Sequence, residues 1–131
     1  MLCIDRVFGV CVKTIRPFYF GELIAVVTSD IILRAPKLHT VQVAPNLHIY
    51  DKWFAGRITH SCEPNMIFDQ STLTFYSIRY IKAGEILTQD YELTEDILFR
   101  PFVCKCESPK CRGYIAGKNY ADPNTTEYGG R

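Results

Sequence analysis

Three cysteines stand close together as Cys104, Cys106 and Cys111, in the pattern Cys-x-Cys-x4-Cys followed by Arg112-Gly113. Thiolates spaced this way on a loop rich in turn residues suit tetrahedral zinc, with Zn–S bonds of about 2.3 Å. Three thiols need a fourth ligand. Cys62 can supply it from the loop His60-Ser61-Cys62-Glu63-Pro64-Asn65, which would tie the middle of the chain to its tail. His60 competes for the same position, although two residues so close together rarely reach one ion. With all four positions filled by protein the zinc is structural rather than catalytic. Free surface thiols in the same places would be an oxidation liability.

The chain that must position these ligands has 131 residues, 47% of them hydrophobic, which is enough for one domain with a core. Fifteen Lys and Arg stand against 14 Asp and Glu, a net charge of +1. No broad basic face therefore argues for nucleic acid. No apolar run approaches the roughly 18 residues of a membrane span, and Asp5 and Arg6 interrupt an N-terminal stretch that would otherwise resemble a leader. Six cysteines could form disulfides. Their clustering and the lack of an export signal favour a reducing compartment with a metal site instead. Cys3 and Cys11 lie in strand-like sequence and are expected to be small core residues.

Short strands dominate the expected structure. Residues 2–12 read as two strands around a bend at Phe8-Gly9, and Glu22 to Leu33 as one or two more. His39 to Ala44 alternates with period two, and Leu47 to Tyr50 follows the turn at Pro45-Asn46. Asp51 to Ala55 reads as a helical turn capped by Asp51. Met66 to Asp69 pairs with Leu73 to Ile81, and Ile86 to Tyr91 is a strand that ends on the tyrosine. Thr94 to Phe99 reads as a further brief helix, and the tail from Asn119 as a mobile end. The fold class is mostly β.

Tyr91, taken alone, is usually a packing residue with a satisfied hydroxyl. His60 alone is equally weak, and no nucleophile triad or phosphate loop is present. Three stretches in order say more: Thr59-His60-Ser61-Cys62-Glu63-Pro64-Asn65, then Gly84-Glu85-Ile86-Leu87-Thr88-Gln89-Asp90-Tyr91, then Cys104 to Gly113. Together they resemble the SET-domain protein methyltransferases. In that family Asn-His-Ser-Cys-x-Pro-Asn precedes Gly-Glu-Glu-Leu-Thr-x-Asp-Tyr, and a post-SET Cys-x-Cys-x4-Cys-Arg-Gly follows. Phe8-Gly9-Val10 also resembles the family's cofactor-binding turn, and Gly21-Glu22-Leu23-Ile24 the turn after it.

The resemblance implies a SET domain over residues 1–100, a post-SET zinc segment over 101–118 and a tail over 119–131. The implied fold is a β-clip of small curved sheets with a pseudo-knot. It also implies S-adenosylmethionine as methyl donor and a lysine of a protein or peptide as acceptor, with histone tails the family default. Carried across residue by residue, Phe8, Gly9, Thr59, His60, Tyr91, Tyr114 and Ile115 would contact the cofactor, and Tyr91 would be catalytic. Cys62, Cys104, Cys106 and Cys111 would hold structural zinc. No direct nucleic-acid or membrane partner is expected, and the expected setting is intracellular, cytoplasmic or nuclear, including a host cell if the source is viral or bacterial.

This sequence departs from the family pattern at several places. Thr59 replaces the asparagine before His60, and Val7 replaces the first glycine of the cofactor turn. Gly56 occupies the usual arginine position, one place from Arg57. Gln89 stands where an aromatic residue often tunes the number of methyl groups added, and Glu107 replaces a common glycine. The Thr59 and Val7 departures support a second reading, a SET-like module that binds a peptide or partner without turnover.

Overall fold

The computed structural model describes residues 2–5 and 9–119, with side chains described from residue 10 onward. The strands are β1 (Leu2–Asp5), β2 (Gly9–Val12), β3 (Leu23–Val26), β4 (Ile32–Leu33), β5 (Thr40–Ala44), β6 (Leu47–Tyr50), β7 (Thr59–His60), β8 (Met66–Asp69), β9 (Thr74–Ser77), β10 (Thr88–Gln89), β11 (Phe102–Val103) and β12 (Tyr114–Ile115). Two 3-10 turns, Ala55–Arg57 and Tyr91–Leu93, complete the regular structure. Among the described residues there is no α-helix, and no helix is long and apolar enough to cross a membrane.

Small sheets meet around a common core. β3-β9-β8 and β4-β6-β5 are antiparallel three-stranded sheets, while β1-β2 and β11-β12 are antiparallel pairs. Alternation along β8 and β9 sends Phe68 and Phe75 inward, and Phe54 packs edge-on against Phe75 at 5.6 Å. Val12, Phe18, Val41, Ile49, Ile58, Met66, Ile81 and Leu87 fill the space around them.

One pairing brings distant stretches together. β7 and β10 run parallel, with Thr59 opposite Thr88 and His60 opposite Gln89. Asn65 fastens this junction. Its side-chain oxygen accepts from the Thr88 N–H at 2.8 Å, its amide donates to the Ile86 carbonyl at 2.8 Å, and its own N–H donates to the Thr88 hydroxyl at 3.0 Å. The side chain is fully buried, so these bonds replace water that cannot enter.

Several local expectations are corrected. The strand that should end on Tyr91 stops at Gln89, because Asp90 caps a 3-10 turn instead, its carboxylate accepting from the Glu92 N–H at 3.0 Å. Thr94 to Phe99 forms turns rather than a helix. Backbone groups there bond to the tail, with Leu98 N–H donating to Ala116 O and Lys118 N–H to Glu95 O. Asp51 does cap a turn, accepting from Trp53, Phe54 and Ala55 N–H at 2.9–3.2 Å, but the 3-10 turn itself begins at Ala55. Cys11 is buried as expected for a core residue, yet it is also disulfide-bonded. The β1–β2 register sets it directly opposite Cys3. The bend at Phe8 and the tail beyond Asn119 lie outside the described residues.

Candidate active site and metal centre

The four cysteines converge as their spacing suggests. The Sγ atoms of Cys62, Cys104, Cys106 and Cys111 all lie within 4.8 Å of one another, with Cys62 and Cys104 at 3.9 Å. Four sulfurs around zinc at about 2.3 Å would stand about 3.8 Å apart, so the donor set fits a tetrahedral ion. Burial pushes the Cys62 and Cys104 thiols up. Burial opposes ionisation of Cys106 too, but hydrogen bonds from the backbone of Cys62 and Ser108 and from the neighbouring thiols bring it down to about 6. A cation entering the cluster would therefore displace protons held by the buried thiols.

His60 is not a fifth ligand. Its Nδ1 accepts from the Tyr91 N–H at 3.0 Å, so Nε2 carries the proton and faces the Cys62 sulfur at 3.4 Å. Burial pulls its pKa down to about 4, against the opposing pull of Asp90, and the ring is neutral at physiological pH. Its closeness to Asp90, 3.8 Å, is thus a polar contact rather than an ion pair. The imidazole links a metal ligand to the backbone of the tyrosine.

Arg112 and Glu92 lock the cysteine segment onto the rest of the chain. The guanidinium of Arg112 donates to Asp90 at 2.6 Å and to Glu92 at 3.1 Å. The other Glu92 oxygen accepts from Ala116 and Gly117 N–H at 3.1 and 3.0 Å. A side chain at Gly117 would run into the Asp96 carbonyl at 2.4 Å, so only glycine permits this close docking.

Two cavities border Tyr91. The larger, about 340 Å³, is lined by Val10, Ile58, Thr59, His60 and residues 102–106. The smaller, about 160 Å³, is lined by residues 36–41, Gln89, Glu95 and residues 98–100. His39, Gly56, Tyr91 and Phe102 border both. Tyr91 and Phe102 meet edge-to-face at 5.9 Å, and each packs against His60, at 5.1 and 5.7 Å. The Tyr91 hydroxyl donates to the Ile58 carbonyl, which leaves its oxygen free to accept from a group entering the wall between the cavities. Burial, followed by the nearby Glu95, keeps the phenol protonated well above its ordinary range.

Among the described residues three buried side-chain polar atoms have no partner: Thr59 Oγ1, Gln89 Oε1 and His48 Nδ1. Thr59 is a lining residue of the larger cavity and Gln89 of the smaller, and the two lie on the paired strands β7 and β10. Gly56 holds the shared wall thin. A Cβ there would sit 2.4 Å from the Asp51 carbonyl and 2.6 Å from the His39 backbone, so the position where the family pattern has arginine admits no side chain.

Thr59, His60 and Tyr91 line the larger cavity, and the four cysteines converge beside it. Gly9 opens β2, one residue before the lining Val10. Phe8 lies outside the described residues. Tyr114 stands opposite the lining residue Val103 and is 44% exposed, while Ile115 is buried behind Phe102 with Cys62 and Cys104. Reasoning from sequence missed Phe102 and His39. A phenylalanine between Pro101 and the first cysteine was the available signal for one; His39 carried none.

The SET domain family profile matches residues 9–92, well over half of the chain. The chain belongs to the SET-domain family. This SET domain is 34% identical over 99 residues to "Methyltransferase flvH" of Aspergillus flavus, a match covering 74% of the chain and 56% of that protein. It is 33% identical over 110 residues to "Histone-lysine N-methyltransferase EHMT1" of Homo sapiens, covering 72% of the chain and 8% of that protein. A further relative is "Histone-lysine N-methyltransferase ash1" of Drosophila melanogaster, 38% identical over 71 residues, covering 47% of the chain and 3% of that protein. The chain thus spans about half of the first relative and a small part of the others. Among solved structures, KRYPTONITE in complex with mCHG DNA and SAH superposes with a TM-score of 0.70 at 19% identity, covering 86% of this chain and 28% of that one. That likeness shows the mostly β SET fold.

Proposed function

We propose that this SET domain is an S-adenosylmethionine-dependent protein-lysine N-methyltransferase, with Tyr91 as its catalytic residue. The observation that carries the reading is a pair of cavities sharing one wall to which Tyr91 belongs. Cofactor and acceptor would enter from opposite sides and meet there. S-adenosylmethionine supplies a methyl group on a sulfonium, which an amine can take by in-line displacement.

The larger cavity has the size of small-molecule sites, about 300–1,000 Å³. Thr59, the backbone near His60, and Phe8 with Gly9 would hold the cofactor, and Tyr114 with Ile115 would close over it. The smaller cavity would take the lysine side chain. Its apolar and aromatic wall disfavours a charged ammonium and so favours the neutral amine that attacks. The Tyr91 oxygen would accept an N–H of that amine and aim its lone pair at the methyl group. Alignment and exclusion of water are the main contributions such a site can make.

Cys62, Cys104, Cys106 and Cys111 would hold zinc, and residues 101–118 would then complete both cavities. Zinc takes no part in the chemistry on this reading. It orders a segment whose Val103, Cys104, Lys105 and Cys106 form one side of the larger cavity. An intracellular setting, cytoplasmic or nuclear, would keep these four metal-binding thiols reduced. A lysine of a protein is the candidate acceptor, since several relatives carry histone-lysine methyltransferase names.

The test is transfer of labelled methyl from S-adenosylmethionine to a lysine-peptide array by the zinc-loaded protein and by Tyr91→Phe. Label should appear on lysine, and the variant should lose at least about 100-fold in rate, the scale of lost alignment. Cofactor and peptide binding without transfer by the parent protein would instead identify a binding module.

A further inference from the structure

We propose that the acceptor lysine lies in an acidic stretch of its protein, with Asp or Glu within a residue or two of it. This rests on the methyltransferase reading of the smaller cavity. The charges lining that cavity are arranged by depth. Lys37 and Arg100 are exposed on its border, while Glu95, its one acidic lining residue, is 6% exposed. Among the described residues, neither cation has a carboxylate within ion-pair distance, whereas other arginines of the chain, Arg16, Arg79 and Arg112, do.

Both cations are held in place by one ring. The Lys37 ammonium lies 5.9 Å, and the Arg100 guanidinium 5.4 Å, from the centroid of Phe99, itself a lining residue. Such contacts direct the side chains without consuming their charge. A peptide whose lysine enters the cavity must lay its neighbouring residues over this rim. Carboxylates there would find two unpaired cations, and lysines or arginines would meet like charge.

Short labelled peptides with a central lysine flanked by Asp and Glu, by Arg, or by Ala test this by fluorescence anisotropy against zinc-loaded protein saturated with S-adenosylhomocysteine. Initial methyl-transfer rates on the same peptides give a second readout. Acidic flanks should bind at least about 10-fold more tightly than basic ones, with the difference shrinking as salt rises. The exposed double substitution Lys37→Glu with Arg100→Glu should reverse that order. Calorimetry with S-adenosylmethionine on the same protein separates the two ideas. Cofactor binding together with equal, reversed or undetectable peptide binding overturns the acidic-substrate inference alone. Failure to bind cofactor overturns the methyltransferase reading beneath it.

Discussion

The two hydrophobic clusters of the molecule are stabilised in different ways. The larger, around Phe75, Phe68, Met66 and Ile81, is a conventional β core in which apolar burial drives folding. The smaller contains Cys62, Cys104 and Ile115, with Tyr91 and Phe102 at its edge. It has too little apolar surface to order its own strands, β11 and β12, each two residues long. Four thiols, the Arg112–Asp90–Glu92 cluster and the Gly117 docking contact do that work. Yet the smaller cluster walls the larger cavity. The fold can thus survive where the site does not.

Removing the metal should have the largest effect and the sharpest regional contrast. Chelation, or Cys104→Ser, should strip hydrogen-exchange protection from residues 102–117 and abolish methyl transfer, while amides of β8 and β9 keep theirs. Phe75→Ala attacks the other region. It deletes a fully buried ring and should cost about 3–5 kcal/mol in global stability by denaturant titration. The cysteine segment would then be lost only as the whole domain unfolds.

Asn65→Ala probes the junction between the two regions. The Thr88 N–H and the Ile86 carbonyl would each lose a buried partner, at a cost of about 2–4 kcal/mol. The same denaturant titration measures it. The smallest effect should come from Glu107→Gly. Glu107 sits at φ 62°, a left-handed conformation that a side chain disfavours, on the loop between Cys106 and Cys111. Restoring glycine should stabilise the metal-bound segment by about 0.5–1 kcal/mol, read as slower zinc loss to a chelator.

The contrast also explains what was legible in the sequence. The strands of the larger core announced themselves through alternation and turns, as at Met66–Asp69, and the cysteines through spacing. Local propensity misled around Tyr91 and Thr94 to Phe99. There Asp90 makes a cap, and the backbone pairs with the tail instead of closing a helix. His39 could not be read as a site residue, since its place in the wall depends on the missing side chain of Gly56, 17 positions away. The unpartnered Thr59 and Gln89 atoms were likewise invisible until β7 and β10 were seen side by side. The disulfide at Cys11 depends on strand register, which spacing alone does not fix.

Calorimetric titration of S-adenosylmethionine into the same protein with and without zinc is the most direct test of a cofactor cavity completed by a metal-tied segment. Saturable one-to-one binding to the zinc-loaded protein, lost on chelation and restored by zinc, is the expected result. Absence of binding to the loaded protein, or equal binding after chelation, would contradict it.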